Sequence, residues 1–392
     1  MTLLNERDPD AAAIDANFPT TSSGREKPPR RRTLSGWVAV VAAVLPVAAL
    51  TIIIGGRAAL HAWQAAPPAR VFARAARPAY AWARATGPSA LVHEMARAPW
   101  GTLYAGTTQG VEASADEGRT WRPFGQGFPG PGIEAWGVTA LTGRTNAGSG
   151  GDAVLATCQD GYVYRLARAG GRWTRSERAI GTYSTAIYAP PGDSVLAGSD
   201  TGIYRSADSG RSWAQAARIP GGAVAAFARD TATGAIYAGV AGRRDALRLS
   251  TDGGRRWRVP AGPPPPPSVQ AVLALRGNLY TGAMGAGYAV WTGATRGFAR
   301  VGRGLSPAVH GMALAATGET GGTGGRLFMG SMGMGAYMAS YTSTQGTRAY
   351  GPWTRLGPGP GDGVVTVLLV LPGRRPVLLA GTGDGIYRLR LP

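Results

Sequence analysis

One Gly or Pro in every four or five residues, a motif that recurs every 40 to 50 residues, and a charge-free apolar stretch near the amino terminus together predict an all-β chain. The fold expected is a seven-bladed β-propeller behind an N-terminal transmembrane helix. Of 392 residues, 61 are Gly and 29 Pro, which leaves little room for long helices. The 11 Trp, 14 Tyr and 7 Phe supply ample surface for a core, so sustained disorder is excluded.

Residues 1–32 are polar, contain Pro-Pro, Ser-Ser and an Arg run, and read as a cytoplasmic tail. Residues 33–56 carry no charge, and Gly36 to Gly56 spans about 31 Å as a helix, one bilayer crossing. Arg25, Lys27, Arg30, Arg31 and Arg32 precede the stretch, whereas Arg57 and then Arg70 follow it. The positive-inside rule therefore puts the tail in the cytoplasm and the bulk of the chain outside, at the cell membrane. A cleaved signal peptide competes, but its apolar core is shorter. Residues 57–79, rich in Ala, Arg and Pro, read as a linker.

Residues 80–392 repeat. A Gly closing an apolar strand recurs at Gly106, Gly198, Gly239, Gly282, Gly330 and Gly381, with Thr157 in its place once. Strand-like pieces of the form Gly-Ile-Tyr-Arg-Ser follow, and four short strands per 40–50 residues is the period of propeller blades. The last unit ends after its third strand. Residues 80–86, with Trp82, look like an orphan fourth strand that closes the ring and removes an unpaired edge.

Three units carry Ser/Thr-x-Asp-x-Gly-x-x-Trp in their third turn: Ser114, Asp116, Gly118 and Trp121; Ser206, Asp208, Gly210 and Trp213; Ser250, Asp252, Gly254 and Trp257. Asp can accept backbone amides two residues on, Gly can take positive φ, and Trp can bury its ring on a neighbouring blade. With this signature the sequence resembles the Asp-box, or BNR-repeat, propellers: sialidases, sortilin-type receptors, xyloglucanase-like glycosidases and photosystem II assembly factors of the Ycf48 type. In those families the box is structural, so the resemblance implies turn-building roles for these residues.

Function is less legible. The chain has 41 basic against 22 acidic residues, nearly all the positive charge is Arg, and it is spread along the repeats rather than held in a tail. A nucleic-acid role is set aside because the expected compartment is wrong for it. A single Cys158 and three scattered His residues argue against disulfides, metal sites and cofactors. The expected role is non-catalytic binding or assembly with a protein or glycan partner. Arg122, Phe124, Phe128, Trp136, Arg258, Arg303 and Arg355, in or beside the loops joining successive units, are the candidate contacts. The bland alternative makes each Arg a solvated strand-edge residue. A carbohydrate-acting enzyme is the second reading. The early Phe/Tyr-Arg-Ile-Pro motif of sialidases is absent, and Glu134 is the acid to watch. Asp160, Asp200 and Asp384 sit in equivalent turns, as repetition alone would place them.

Overall fold

The computed structural model describes residues 80–392, apart from 131, 144–150, 169–170, 191–193, 262–264, 266, 276, 285–286, 292–297, 301–302, 307–308, 319–323 and 345–346. The expected tail, membrane helix and linker lie outside the described residues. No helix of the described residues is long and apolar enough to cross a membrane.

The protein is an all-β propeller. Its strands form seven antiparallel sheets, numbered here along the chain from residue 92. The inner strands are Val92–Arg97, Ala135–Leu141, Ser184–Tyr188, Ala223–Arg229, Val269–Leu275, Gly311–Thr317 and Val365–Leu371. Each pairs with a second strand: Leu103–Thr107, Ala153–Cys158, Val195–Ser199, Ile236–Ala241, Asn278–Ala283, Gly324–Ser331 and Val377–Thr382. Nearly every residue of these second strands is buried. They are covered on both faces by neighbouring sheets, which is why they read as apolar runs rather than alternating patterns.

The recurring Gly is where one sheet meets the next. A Cβ on Gly106 would lie 2.6 Å from the Ala135 carbonyl oxygen, on Gly239 2.8 Å from Val269 Cγ1, and on Gly282 2.8 Å from the Gly311 carbonyl oxygen. Gly198 meets Val224, and Gly330 meets Val365, in the same way. The partner is the first residue of the next inner strand, or the second in the case of Val224, so the inner strands all begin at one end of the central channel. Thr157 breaks the pattern and is compensated. Its hydroxyl donates to the Thr185 carbonyl across the joint at 3.0 Å, and the residue paired with it is Gly137, where a Cβ would come 2.5 Å from Thr157 Oγ1.

The Ser-x-Asp turns form a second joint. Asp116 Oδ1 accepts the amides of Arg119 and Thr120, each at 2.9 Å, and Asp208 and Asp252 accept the corresponding pairs. The amides captured lie three and four residues on, not two as the sequence suggests. The turn needs this reach because two successive residues are left-handed: Glu117 and Gly118, Ser209 and Gly210, Gly253 and Gly254. Gly118, Gly210 and Gly254 press on Leu379, Leu155 and Leu196 of the preceding sheet. Trp121 is buried against Leu379 and Ile386 of the seventh sheet, while Trp213 and Trp257 pack on the second and third. Arg165 and Arg388, on third strands, each donate Nε at 3.1 Å to the carbonyl of the left-handed residue in the next turn, Ser209 and Glu117.

Ala83–Arg84 pairs with Gly385–Arg390 as the outermost strand of the seventh sheet. Trp82 Nε1 donates to the Leu356 carbonyl at 2.8 Å. Val92, the first inner-strand residue, accepts the Thr366 hydroxyl of the seventh sheet and packs where a Gly381 Cβ would stand. Residues from the two ends of the described chain thus hold one sheet together.

Two outcomes test these joints. Gly106→Ala places a methyl against a backbone carbonyl that cannot yield, and should cost about 2–3 kcal/mol in chemical unfolding. Gly137→Ala should behave alike, and adding Thr157→Gly should restore part of the loss, a coupling a double-mutant cycle reads directly. A chain beginning at residue 90 should melt at least about 5 °C below one beginning at 75; equal melting would place closure elsewhere.

Candidate functional site

All seven inner strands line a central channel of about 450 Å³, within the size range of small-ligand sites. Each inner strand shifts register against its second strand after its first residue, or after its second in the fourth sheet. The residues left out of pairing are His93, Trp136, Thr185 with Ala186, Ala225, Gln270, Met312 and Thr366. Such bulges re-aim side chains and are common beside functional sites. Here they ring one end of the channel, called the entrance below. Thr185 and Thr366 use their hydroxyls to hold the carbonyls of Val224 and Val92 in the following sheet.

Glu134 stands at the entrance and is fully engaged. Its Oε2 accepts Trp136 Nε1 at 2.8 Å and faces His93 Nε2 at 3.2 Å. Burial alone would raise its carboxyl, but the bonds from His93 and Trp136 outweigh it and hold the group below the usual range. A carboxylate kept charged in this way is poorly suited to general-acid work. Trp136 in turn packs on Tyr183, ring centroids 5.3 Å apart.

The turn acids are likewise committed. Asp160 accepts the Tyr162 amide and the Tyr164 hydroxyl, Asp200 accepts the Thr182 amide, and Asp384 accepts the hydroxyls of Thr382 and Tyr387. Asp362 is raised, first by burial and then by the nearby Asp384, against the help of the Val364 amide.

The seven candidate contacts do not converge. Phe128 and Trp136 are buried. Phe128 packs on Tyr164 and Trp173 with centroids 4.9 and 5.5 Å away, because the loop after Arg122 is pinned to the second sheet by Trp173 Nε1 donating to the Phe124 carbonyl at 2.9 Å. Arg122, Arg258 and Arg355 are exposed on outermost strands of three different sheets. Arg303 is exposed on a turn, its carbonyl accepting the Trp353 amide. Only Arg122 and Phe124 come together, beside Tyr104 and Asp116 in a groove of about 540 Å³. Cys158 is free and buried, and no group of three metal-ligating side chains occurs among the described residues.

Sequence reasoning missed Glu94. It pairs with Gly106, and the same place in other sheets holds Gly137, Ala226, Ala271, Ala313 and Val367. Among the described residues lining the channel it is the one carboxylate. Burial pushes its carboxyl up to about 7, against a single favourable bond from the Met95 amide at 3.0 Å. Counting residues from the repeat Gly across the hairpin would have exposed this substitution in the sequence.

An acid whose native pKa is raised leaves the folded state binding the extra proton, so stability falls as pH rises from about 4.5 to about 7. The full linkage ceiling is about 3 kcal/mol, and water in the channel should cut it to about 1–2. Glu94→Gln should therefore melt higher than the parent at pH 8 and equal to it near pH 4.5, the difference growing as pH rises between.

No protein-family model matches the chain, and no curated protein does. Solved structures do match. YCF48 bound to D1 peptide aligns at 14% identity and TM-score 0.57, over 80% of this chain and 95% of that one. YCF48 from Cyanidioschyzon merolae aligns at 14% and 0.57, over 80% and 99%. The GH74 xyloglucanase from Xanthomonas campestris aligns at 18% and 0.54, over 79% of this chain and 53% of that one. The chain spans about half the length of the xyloglucanase but nearly all of the two YCF48 structures. With its seven packed sheets and channel, the chain has the β-propeller fold of YCF48 and of the GH74 propellers.

Proposed function

We propose that this protein is a non-catalytic binding or assembly propeller that receives a segment of a protein partner at the channel entrance. Each of the seven sheets then counts as one blade, and the three Ser-x-Asp turns act as structural Asp boxes. In this reading residues 33–56 anchor the chain in the cell membrane, residues 1–32 are cytoplasmic, and the propeller lies outside. The observation that carries it is the commitment of the entrance acids. Glu134, Asp160, Asp200 and Asp384 each hold a tryptophan, a tyrosine or a turn amide in place, which is what a rigid presenting surface needs and what a proton-transfer pair does not. A propeller of this fold that binds a peptide, YCF48 with a D1 peptide, supports the choice of ligand class.

A glycoside hydrolase is the second reading, favoured by one group: burial and the neighbouring Asp384 raise the Asp362 carboxyl, and a raised carboxyl can serve as a general acid.

The exposed arginines would add little singly, about 0.2–1 kcal/mol each, and less at high salt.

The readings separate by photo-crosslinking in native membranes from the full chain, with the reactive residue at Gln270 or Met312 on the entrance or at Arg258 on the rim. A discrete protein adduct from the entrance positions alone is expected, weakened several-fold when Arg122, Arg258 and Arg303 are all Ala and less sensitive to added salt in that variant than in the parent. Adducts independent of position would remove the entrance as the site. Polysaccharide cleavage lost in Asp362→Asn would move the protein to the hydrolases.

A further inference from the structure

We propose that the central channel is a binding site for a basic side chain, a Lys or Arg of the segment seated at the entrance, with the Glu94 carboxylate as its counter-ion. This rests on the reading of the entrance as a protein-binding surface and names what that surface selects.

The repeat frame makes the case. Five sheets place Gly137, Ala226, Ala271, Ala313 or Val367 where the first places Glu94. A small apolar residue is therefore sufficient to build this part of the wall, and the carboxylate is not required by the fold. It is also costly there, because a half-buried carboxylate among apolar walls gains from a partner, and Glu94 has only the amide of its own neighbour, Met95. The chain carries a net charge of +19, yet none of the described Arg side chains lines the channel. The described lining therefore supplies Glu94 with no cation of its own, and the partner is one that arrives.

The walls say what kind of cation. Beyond Glu94 the channel offers Ala96, Val138, Ile187 and Val272 among others, suited to an alkyl stem. A divalent metal wants six or more oxygen ligands, and Glu94 is the only carboxylate on the described lining. A long side chain ending in ammonium or guanidinium fits both features, burying its stem and bringing its charge to the acid.

Charge elsewhere in the channel is sparse. His93, on the same strand, is turned to Glu134. Tyr188 comes from the third inner strand, and the remaining polar groups, Thr139, Gln270 and Thr366, do not titrate. A cation favours ionised Glu94, so binding should strengthen as pH rises from 5.5 to 8 and should release a proton near neutrality, because burial alone keeps the carboxyl close to 7.

The test uses the full chain in detergent and three blocked tripeptide amides, Gly-X-Gly with X as Lys, norleucine or Glu, titrated calorimetrically in two buffers of different ionisation heat. The Lys peptide should bind at least tenfold tighter than the norleucine peptide at pH 8, lose that advantage at pH 5.5 and lose it at every pH in Glu94→Gln. Glu94→Asp should keep part of it. Equal affinity for Lys and norleucine, or a Lys preference that survives Glu94→Gln, overturns the proposal. So does the absence of any binding, and entrance crosslinking to a protein would then still uphold the wider reading. Melting of Glu94→Gln at or above the parent at pH 8 shows that a lost preference is not lost fold.

Discussion

The close approach of neighbouring sheets at the entrance is the constraint on which the rest of the molecule depends. A sheet covered on both faces must let the next inner strand come within backbone distance, and only a residue without a Cβ permits a contact such as Gly106 against the Ala135 carbonyl. The contact fixes the starting point of every inner strand. The bulge that follows is then forced, because the strand must leave the joint and turn along the channel wall. At the far joint Gly118, Gly210 and Gly254 perform the same service for the preceding sheet. The joints between the seventh and first, second and third, and third and fourth sheets are thus clamped at two points.

This explains which parts of the fold were legible. The repeat Gly, the Ser-x-Asp turns and the orphan Trp82 strand are all written in residue types whose backbone or hydrogen-bonding demands are local, so spacing alone reveals them. Thr157 shows the limit. It departs from the repeat in one strand and is repaired by Gly137 in another, a compensation visible only once the pairing register is known. Phe128 and Trp136 were legible as aromatics but not as core, because Phe128 is buried by Trp173 anchoring an irregular loop and Trp136 by a bulge that sets it on Tyr183, and neither feature carries a periodic signal.

Arginine illustrates a different difficulty. Composition suggests a surface for acidic partners, yet identical side chains do unrelated things. Arg165 and Arg388 bind the carbonyls of the next turn and are part of the sheet-to-sheet clamp. Arg119, Arg211 and Arg255 each return Nη1 to the carbonyl of the turn Asp. Arg122, Arg258 and Arg355 sit on outer strands, where charge discourages edge pairing. A count of basic residues averages these roles and so overstates the charge available to a partner.

The channel inverts that balance. A strongly basic protein surrounds a small space lined by apolar residues and one acid, and the field of the many exposed arginines is screened over roughly 8 Å at physiological salt, whereas a desolvated group inside is screened far less. Glu94 therefore dominates its own surroundings although it is outnumbered across the chain. The repeats supply seven near-equivalent walls, and a site arises where one wall departs from the rest. The proposed cation site rests on that departure, because the surrounding sheets show that a small residue suffices at this place in the wall.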